Sequence, residues 1–415
     1  MIRNKIIAQK EEIKNRSAEQ YIERKVDPKK FEGNLIKVVI GPRRAGKSFL
    51  AIHIMNKLGN FGYVNFDDEE LIEVKQYDDI VKEVDSIYGK PKNLFFDEIQ
   101  NLPKWELFAN RLQRGGYNLV LTGSNSKLLS QELATHLTGR HVLIHIFPFS
   151  FKEYISVENR ELTQAEIKAK LSRYLVDGGY PEPLLKKLDY KDYLSTLFDS
   201  IIYKGIVRRF NIRVPRKIED LSLQLISNTA KEFSYRSLSN AGKNKSTYTV
   251  QKYIGYLEET FLFFEVSRFS YKVKEQASFN KKIYCIDNGF IQAKAFNFSE
   301  NFGRLYENAV AIHLKQNELR GESKLFYWKN AEQEEVDFVV QKGLKVAQLI
   351  QVCHNLNDQK TKDREIRAIL KAGKELKCDN LIVLTEDYES EEGEEWFGIK
   401  GRIKYIPLWK FLLNE

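Results

Sequence analysis

Cysteine is scarce. Cys285, Cys353 and Cys378 stand far apart in 415 residues, and an odd, scattered set excludes a disulfide framework and a zinc knuckle. Six histidines show no HExxH pairing, so no structural metal is expected. Long apolar runs are missing as well. No stretch approaches the ~18 uninterrupted apolar residues of a membrane helix. Residues 1–24 are charged throughout, so neither a secretory leader nor an anchor is expected there, and a cytoplasmic place is. Repeats and low-complexity tracts are also lacking. What the chain has is 42% hydrophobic and 30% charged residues, enough for several cores, and a length that implies two or three domains.

The net charge is +9, and the segment 204–282, with 16 basic against 7 acidic residues, holds all of it. A local excess of this kind points to an acidic partner, most simply nucleic acid. The alternative is a solvated basic face.

Along the chain, residues 1–30 read as a polar helical arm. An alternation of strands and helices follows, with apolar runs at 35–40, 63–66, 93–96, 118–122 and 141–147. This pattern predicts an α/β domain at 31–150, built on a parallel sheet with active loops at the strand C-termini. Residues 151–195 read as a helical lid broken by the turn at Gly178, Gly179, Tyr180 and Pro181. A helical and then basic, β-rich stretch occupies 196–290, with a turn at Asp287, Asn288 and Gly289. A last block, 300–415, mixes helices with strands at 337–340, 349–352 and 381–384. Residues 389–395 read as an acidic loop.

Gly41, Pro42, Arg43, Arg44, Ala45, Gly46, Lys47 and Ser48 fit G-x-x-x-x-G-K-[ST], with Phe49 next in the helix. The glycines let backbone N–H groups turn in around phosphates, at the positive end of the helix that follows. Lys47 is expected to reach the β- and γ-phosphates of ATP, and Ser48 to bind Mg²⁺. The run Leu94, Phe95, Phe96 ends in Asp97 and Glu98. Two adjacent carboxylates at the edge of a core are costly without a cation. Asp97 is expected to hold Mg²⁺, and Glu98 to orient or deprotonate the attacking water. Asn125, or Ser124 as second choice, is a candidate for holding that water. Helix capping by Ser124 or Ser126 is the alternative. Arg140 is a candidate for steadying transition-state charge, on its own or a neighbouring chain's ATP. An ordinary salt bridge is the alternative there.

These stretches resemble the AAA-type, additional-strand class of P-loop ATPases. More closely, the chain resembles a family of mostly uncharacterised archaeal and bacterial ATPases. GPRRAGKS (41–48), NLFFDEIQN (93–101), LTGSNS (121–126), LTGRHVLIHIFPFSFKEY (137–154), DGGYPE (177–182), EEVDFVV (334–340) and LIQVC (349–353) carry the likeness. It implies an AAA-like core, a winged-helix domain at 196–290 and a domain related to PD-(D/E)XK (restriction-endonuclease-like) nucleases at 300–415. It also implies ATP-driven or ATP-switched action on DNA.

The residues add their own support. Val250, Tyr253, Ile254, Leu257 and Phe261 form one apolar stripe of a helix. Lys243, Lys245, Ser246, Thr247, Tyr248, Gln251 and Lys252 stand at its start, where helix-turn-helix proteins place DNA contacts. Arg268, Lys272, Lys274, Lys281 and Lys282 read as a basic wing. A winged helix that contacts proteins is the alternative. In the last block Glu307, Asp337 and Gln351 fall where the nuclease fold places metal ligands. The fit is poor. Gln351 brings no charge, Cys353 stands where a lysine is needed, and a hard cation wants carboxylates. Lys360 or Lys362 is a candidate replacement lysine, and Asp337 and Glu335 capping strands is the alternative. The expected activity is therefore ATP hydrolysis by a protein that binds double-stranded DNA without cutting it, with homo-oligomer formation open. The rivals are an ATP-switched signalling or scaffold protein and a small-molecule kinase. Glu98 beside Asp97, and the two long C-terminal segments, argue against the kinase.

Overall fold

The structure is a computed structural model and describes residues 2–125, 139–241, 246–295, 302–354, 356 and 358–414. The chain forms two compact units. One is Met1–Pro148 with Glu259–Phe261, and the other is Phe149–Glu258 with Leu262–Glu415.

The first unit holds β1 (Ile36–Ile40), β2 (Phe61–Asn65), β3 (Asn93–Asp97), β4 (Asn118–Gly123) and β5 (His141–His145). They form one sheet in the order β2-β3-β4-β1-β5, and every pairing is parallel. β1 is buried along its whole length, as a strand covered on both faces must be. β4 lies between β1 and β3, so the segments leaving all three emerge at one end of the sheet.

Residues 1–30, expected as a separate arm, belong to this unit instead. Helix Ile2–Ser17 buries Ile6, Gln9 and Ile13. Ile6 joins the core of Ile36, Val64, Leu94 and Leu121. Ile13 packs with Val39, Met55 and Phe95. Gln9 donates to the Asn65 carbonyl (3.0 Å) and accepts from its N–H (2.9 Å). The helix looks detached in sequence because only three of its sixteen residues are buried.

In the second unit nine strands share a sheet: β6 (Glu232–Phe233), β7 (Phe263–Arg268), β8 (Lys281–Cys285), β9 (Lys324–Lys329), β10 (Glu335–Lys342), β11 (Lys345–Val352), β12 (Leu381–Thr385), β13 (Ser390–Trp396) and β14 (Ile399–Pro407). Their order is β13-β14-β12-β11-β10-β9-β7-β8-β6. The expected division near 290–300 therefore does not separate two sheets, because β7 pairs in parallel with β9 through Ser267–Phe326 and Arg268–Tyr327. The expected acidic loop at 389–395 is also corrected. All of it but Glu389 lies within β13, where Glu395 faces Lys400 and Glu391 faces Lys404 on β14. Opposite charges across a ladder hold such a strand.

The helices of the expected lid, Phe151–Ser156, Gln164–Asp177, Pro181–Lys186 and Tyr190–Ser200, belong to the second unit. The turn that interrupts them is half of a buried joint. The Gly179 N–H donates to Asp287 Oδ2 at 2.7 Å. Gly178 sits at φ +81, and a Cβ there would lie 1.9 Å from Asp287 Oδ1. Asn288 donates to the carbonyls of Leu175 (3.1 Å) and Leu305 (3.0 Å). DGGYPE and the turn at 287–289 are thus two sides of one contact.

Candidate active site

β1 ends at Ile40, and the chain turns sharply before helix Lys47–Leu58. Gly41 allows the turn, since a Cβ there would lie 1.9 Å from the Ile146 carbonyl oxygen. Arg44 (φ +67) and Gly46 (φ +96) adopt left-handed backbone. Gly46 caps the helix without a side-chain bond, which leaves its first N–H groups for an anion.

Lys47 is 4% exposed. Its Nζ donates to the Pro42 carbonyl (3.0 Å) and lies 3.8 Å from Glu98. Burial pushes its pKa down, against the pull of Glu98 and Asp97. Asp97 is 3% exposed. It accepts from Ser48 Oγ (3.0 Å), from Tyr63 (3.4 Å) and closely from Thr122. Burial, then the neighbouring Glu98, hold its carboxyl above the ordinary range. Glu98 is opposite in behaviour. Burial opposes its charge, but Lys47 and hydrogen bonds from Gln100 and Ser124 outweigh that and hold its carboxyl below the ordinary range. Gln100 donates to it at 2.5 Å and Ser124 at 3.0 Å. Glu98 itself has left-handed backbone, φ +50. The left-handed turn re-aims the chain directly after β3, and strain of this kind gathers at functional sites. Asn125 is fully buried one residue after Ser124, and Ser126 lies outside the described residues.

The oxygen donors of Ser48 and Asp97 suit a hard cation such as Mg²⁺. A buried carboxyl pushed toward its neutral form by burial and by a second acid is one that a nearby cation would return to charge. Those two residues would hold the ion, which when bound would neutralise phosphate charge.

Arg140 is placed elsewhere. It precedes β5, and its carbonyl accepts from the Ile36 N–H at the start of β1. The phosphate loop follows the other end of β1, five residues on, or about 16 Å. Arg140 donates to Asn110 at 2.7 Å. It therefore lies at the end of the sheet away from its own chain's phosphate loop.

Four contacts escaped sequence reasoning. Thr122, Tyr63 and Gln100 were visible only as members of apolar or polar runs. Arg24 carried no signal at all. It is 8% exposed, donates to the Ala45 carbonyl at 3.0 Å and makes a close bond to the Phe147 carbonyl, so it braces the phosphate loop from outside.

The second unit brings Glu307, Asp337 and Gln351 together, but around a lysine nobody would pick from spacing. Lys282 is 2% exposed and reaches Glu307 (2.8 Å), Glu335 (2.6 Å) and Asp337 (3.3 Å). It is not part of a basic wing. Lys281 is likewise paired with Glu265, and Lys272 with Glu275 at 2.9 Å. Lys360 is exposed, and Lys362 lies 3.9 and 3.8 Å from Glu392 and Glu394. Gln351 is engaged as a neutral group. Its Oε1 accepts from the Asp337 N–H (3.2 Å) and its Nε2 donates to Glu365 (2.5 Å). Ser246, Thr247, Gln251 and Lys252 are exposed, while Lys243 and Lys245 lie outside the described residues.

A parallel sheet in this order, with a phosphate loop after one strand and paired acids after another, defines an AAA-type P-loop ATPase domain. A family model for an AAA domain matches residues 33–155. Two others, each described as a domain of unknown function, match 168–301 and 302–411. The chain is 36% identical to the uncharacterized protein MJ1544 of Methanocaldococcus jannaschii, over 98% of this chain and 93% of that one. It belongs to the family of that protein. An uncharacterized protein of Haemophilus influenzae is 30% identical over 79% of this chain and 84% of its own length. Among solved structures, the Walker-type ATPase PABY2304 of Pyrococcus abyssi is similar at TM-score 0.41 and 16% identity, covering 62% of this chain and 90% of that one. The Saccharomyces cerevisiae Hsp104–ADP complex follows at TM-score 0.29 and 14% identity, covering 61% and 39%. Both are distant likenesses. Among the described residues, no helix is long and apolar enough to cross a membrane.

Proposed function

We propose that this protein hydrolyses ATP and binds double-stranded DNA through its second unit, without cutting it. The observation that carries the first part is the meeting of two distant motifs. Ser48 touches Asp97 at 3.0 Å, and Lys47 stands 3.8 Å from Glu98. Glu98, held ionised, would take the proton of a water attacking the γ-phosphorus as the bond to ADP breaks. Ser124 donates to Glu98 at 3.0 Å, Asn125 follows it in the chain, and both would help hold that water. Glu98→Gln keeps the shape and removes the base. It should bind ATP with Mg²⁺ and turn it over at least ~100-fold more slowly. Near-normal release of phosphate by that variant would assign the chemistry to another group.

The order helix Pro215–Ser227, β6, helix Tyr235–Ala241, helix Thr247–Glu259, β7, a short helix Val273–Ser278 and β8 supports the winged-helix reading. A strip of basic residues without acids leads into that block. Residues 204–217 hold Lys204, Arg208, Arg209, Arg213, Arg216 and Lys217 and no acid. Lys204, Arg208, Arg213 and Arg216 are exposed, and among the described residues none of these four has an ion-pair partner. Lys204 and Arg208 lie on an eight-residue π-helix, Ile201–Arg208, a form that recurs at functional sites. Phosphates are the natural partner of such a strip. Each contact releases counterions, so log affinity should fall with log salt at a slope near −0.9 per contact, or about −3 to −5 here. Replacing the four residues with Gln should flatten that slope by up to ~4 and spare ATP hydrolysis without DNA.

A scaffold reading has one observation in its favour. Leu344 and Phe397, each 91% exposed, cap two hairpins whose strands β11 and β14 run parallel to β12 between them. Both tips therefore lie at one end of the sheet. Absence of DNA binding at low salt would favour this reading.

A further inference from the structure

Lys282 lies within the segment that holds the whole basic excess, yet it is 2% exposed. Burying an ammonium is costly unless its donors are met. Here they are. The three N–H donors of a lysine meet three carboxylates, Glu307, Glu335 and Asp337, at 2.6–3.3 Å. The acids have further partners. Tyr284 donates to Glu307 at 2.7 Å, and the Val352 N–H to Asp337 Oδ2 at 2.9 Å. Lys329 stands 3.6 Å from Glu335. Glu365 is taken by Gln351 and by Arg364, each at 2.5 Å. A divalent ion would need several of these oxygens at once, and the ammonium already sits among them.

We propose that the Lys282 ammonium is the resident cation of this cluster and takes the place a divalent metal would hold in a nuclease-like centre. The cluster is then an ionic tie that fastens β8 to β10 and to helix Phe302–Leu319, and not a hydrolytic site. The disagreement with the metal is chemical. Gln351 brings no charge, and the three acids around Lys282 already share a cation from within the chain.

The test is Mn²⁺ binding to nucleotide-free, full-length protein, followed by electron paramagnetic resonance. The wild type should show no site that Asp337→Asn removes. Lys282→Ala leaves three unneutralised acids and should gain one Mn²⁺ site, lost again in Lys282→Ala with Asp337→Asn. Lys282→Gln, which keeps most of the volume, should gain the same site and serves if the alanine variant does not fold. A wild-type Mn²⁺ site lost in Asp337→Asn but kept in Asp97→Asn would overturn the proposal. So would Mn²⁺-dependent DNA cleavage abolished by Asp337→Ala, or a folded Lys282→Gln that gains no site.

Discussion

Lys47 answers to the Pro42 carbonyl and to Glu98 in the structure, and phosphate would be its third partner. Lys47→Ala removes the charge expected on the β- and γ-phosphates, so ATP binding should fall below detection by calorimetry. Unchanged affinity would remove the phosphate-binding role from residues 41–48. Arg24 acts one step further out. Its bond to the Ala45 carbonyl at 3.0 Å fixes the loop's backbone and touches no phosphate. A charged hydrogen bond contributes about 1.5–3 kcal/mol, so Arg24→Ala should weaken ATP binding roughly tenfold or more. Equal affinities for Arg24→Ala and wild type would show that the loop holds its shape alone.

At the scale of elements, the joint between 178–179 and 287–289 makes two demands. A Cβ at Gly179 would lie 2.3 Å from the Phe149 carbonyl oxygen, so Gly179→Ala should destabilise the second unit by about 1–3 kcal/mol through overpacking. A urea midpoint equal to wild type would contradict that. The second demand is on charge. Burial pushes the Asp287 carboxyl up to about 7, with the N–H groups of Gly179 and Gly289 opposing. The folded state thus favours the protonated form. Its contribution is fully present below the unfolded value, near 4, and is lost as pH rises through about 7. Stability of the second unit should therefore fall between about pH 4 and 7, with Asp287 adding at most about 1.4 kcal/mol per pH unit. Asp287→Asn should reduce that slope by one proton. A slope unchanged by the substitution would mean that Asp287 stays charged in the fold.

For the whole molecule, the shared sheet is the decisive feature. Family models divide the chain between 301 and 302, but β7 pairs with β9 across that point. Tyr327 on β9 donates to Glu232 (3.0 Å) and to the Asn280 carbonyl (2.7 Å), and Lys282 depends on Glu307, Glu335 and Asp337. A fragment of residues 149–300 should lack a cooperative thermal transition, since it leaves a buried cation unpaired and a strand edge open. Cooperative melting of that fragment by circular dichroism would show that it folds independently. Arg140 is remote from its own chain's phosphate loop, so of the two expectations a structural contact or action on a neighbour's ATP remains. Light scattering with ATP would have to show an oligomer for the latter to stand.

The phosphate loop and the acids at 97–98 were legible because their signals are local. A glycine pattern and an apolar run ending in two carboxylates each fit within about eight residues, and the alternation of runs implied the parallel sheet that joins them. The likeness to AAA-type ATPases followed from those same residues. Tertiary structure alone decided the rest. It drew residues 1–30 into the core, sent Arg140 to the far end of β1 and joined the strands across 290–300. It also sorted the basic residues, burying Lys282 among acids and leaving Lys204, Arg208, Arg213 and Arg216 at the surface. The reason is common to all four. Strand partners and ion pairs are chosen between residues distant in sequence, and a lysine's spelling is the same whether its charge faces water or a buried carboxylate.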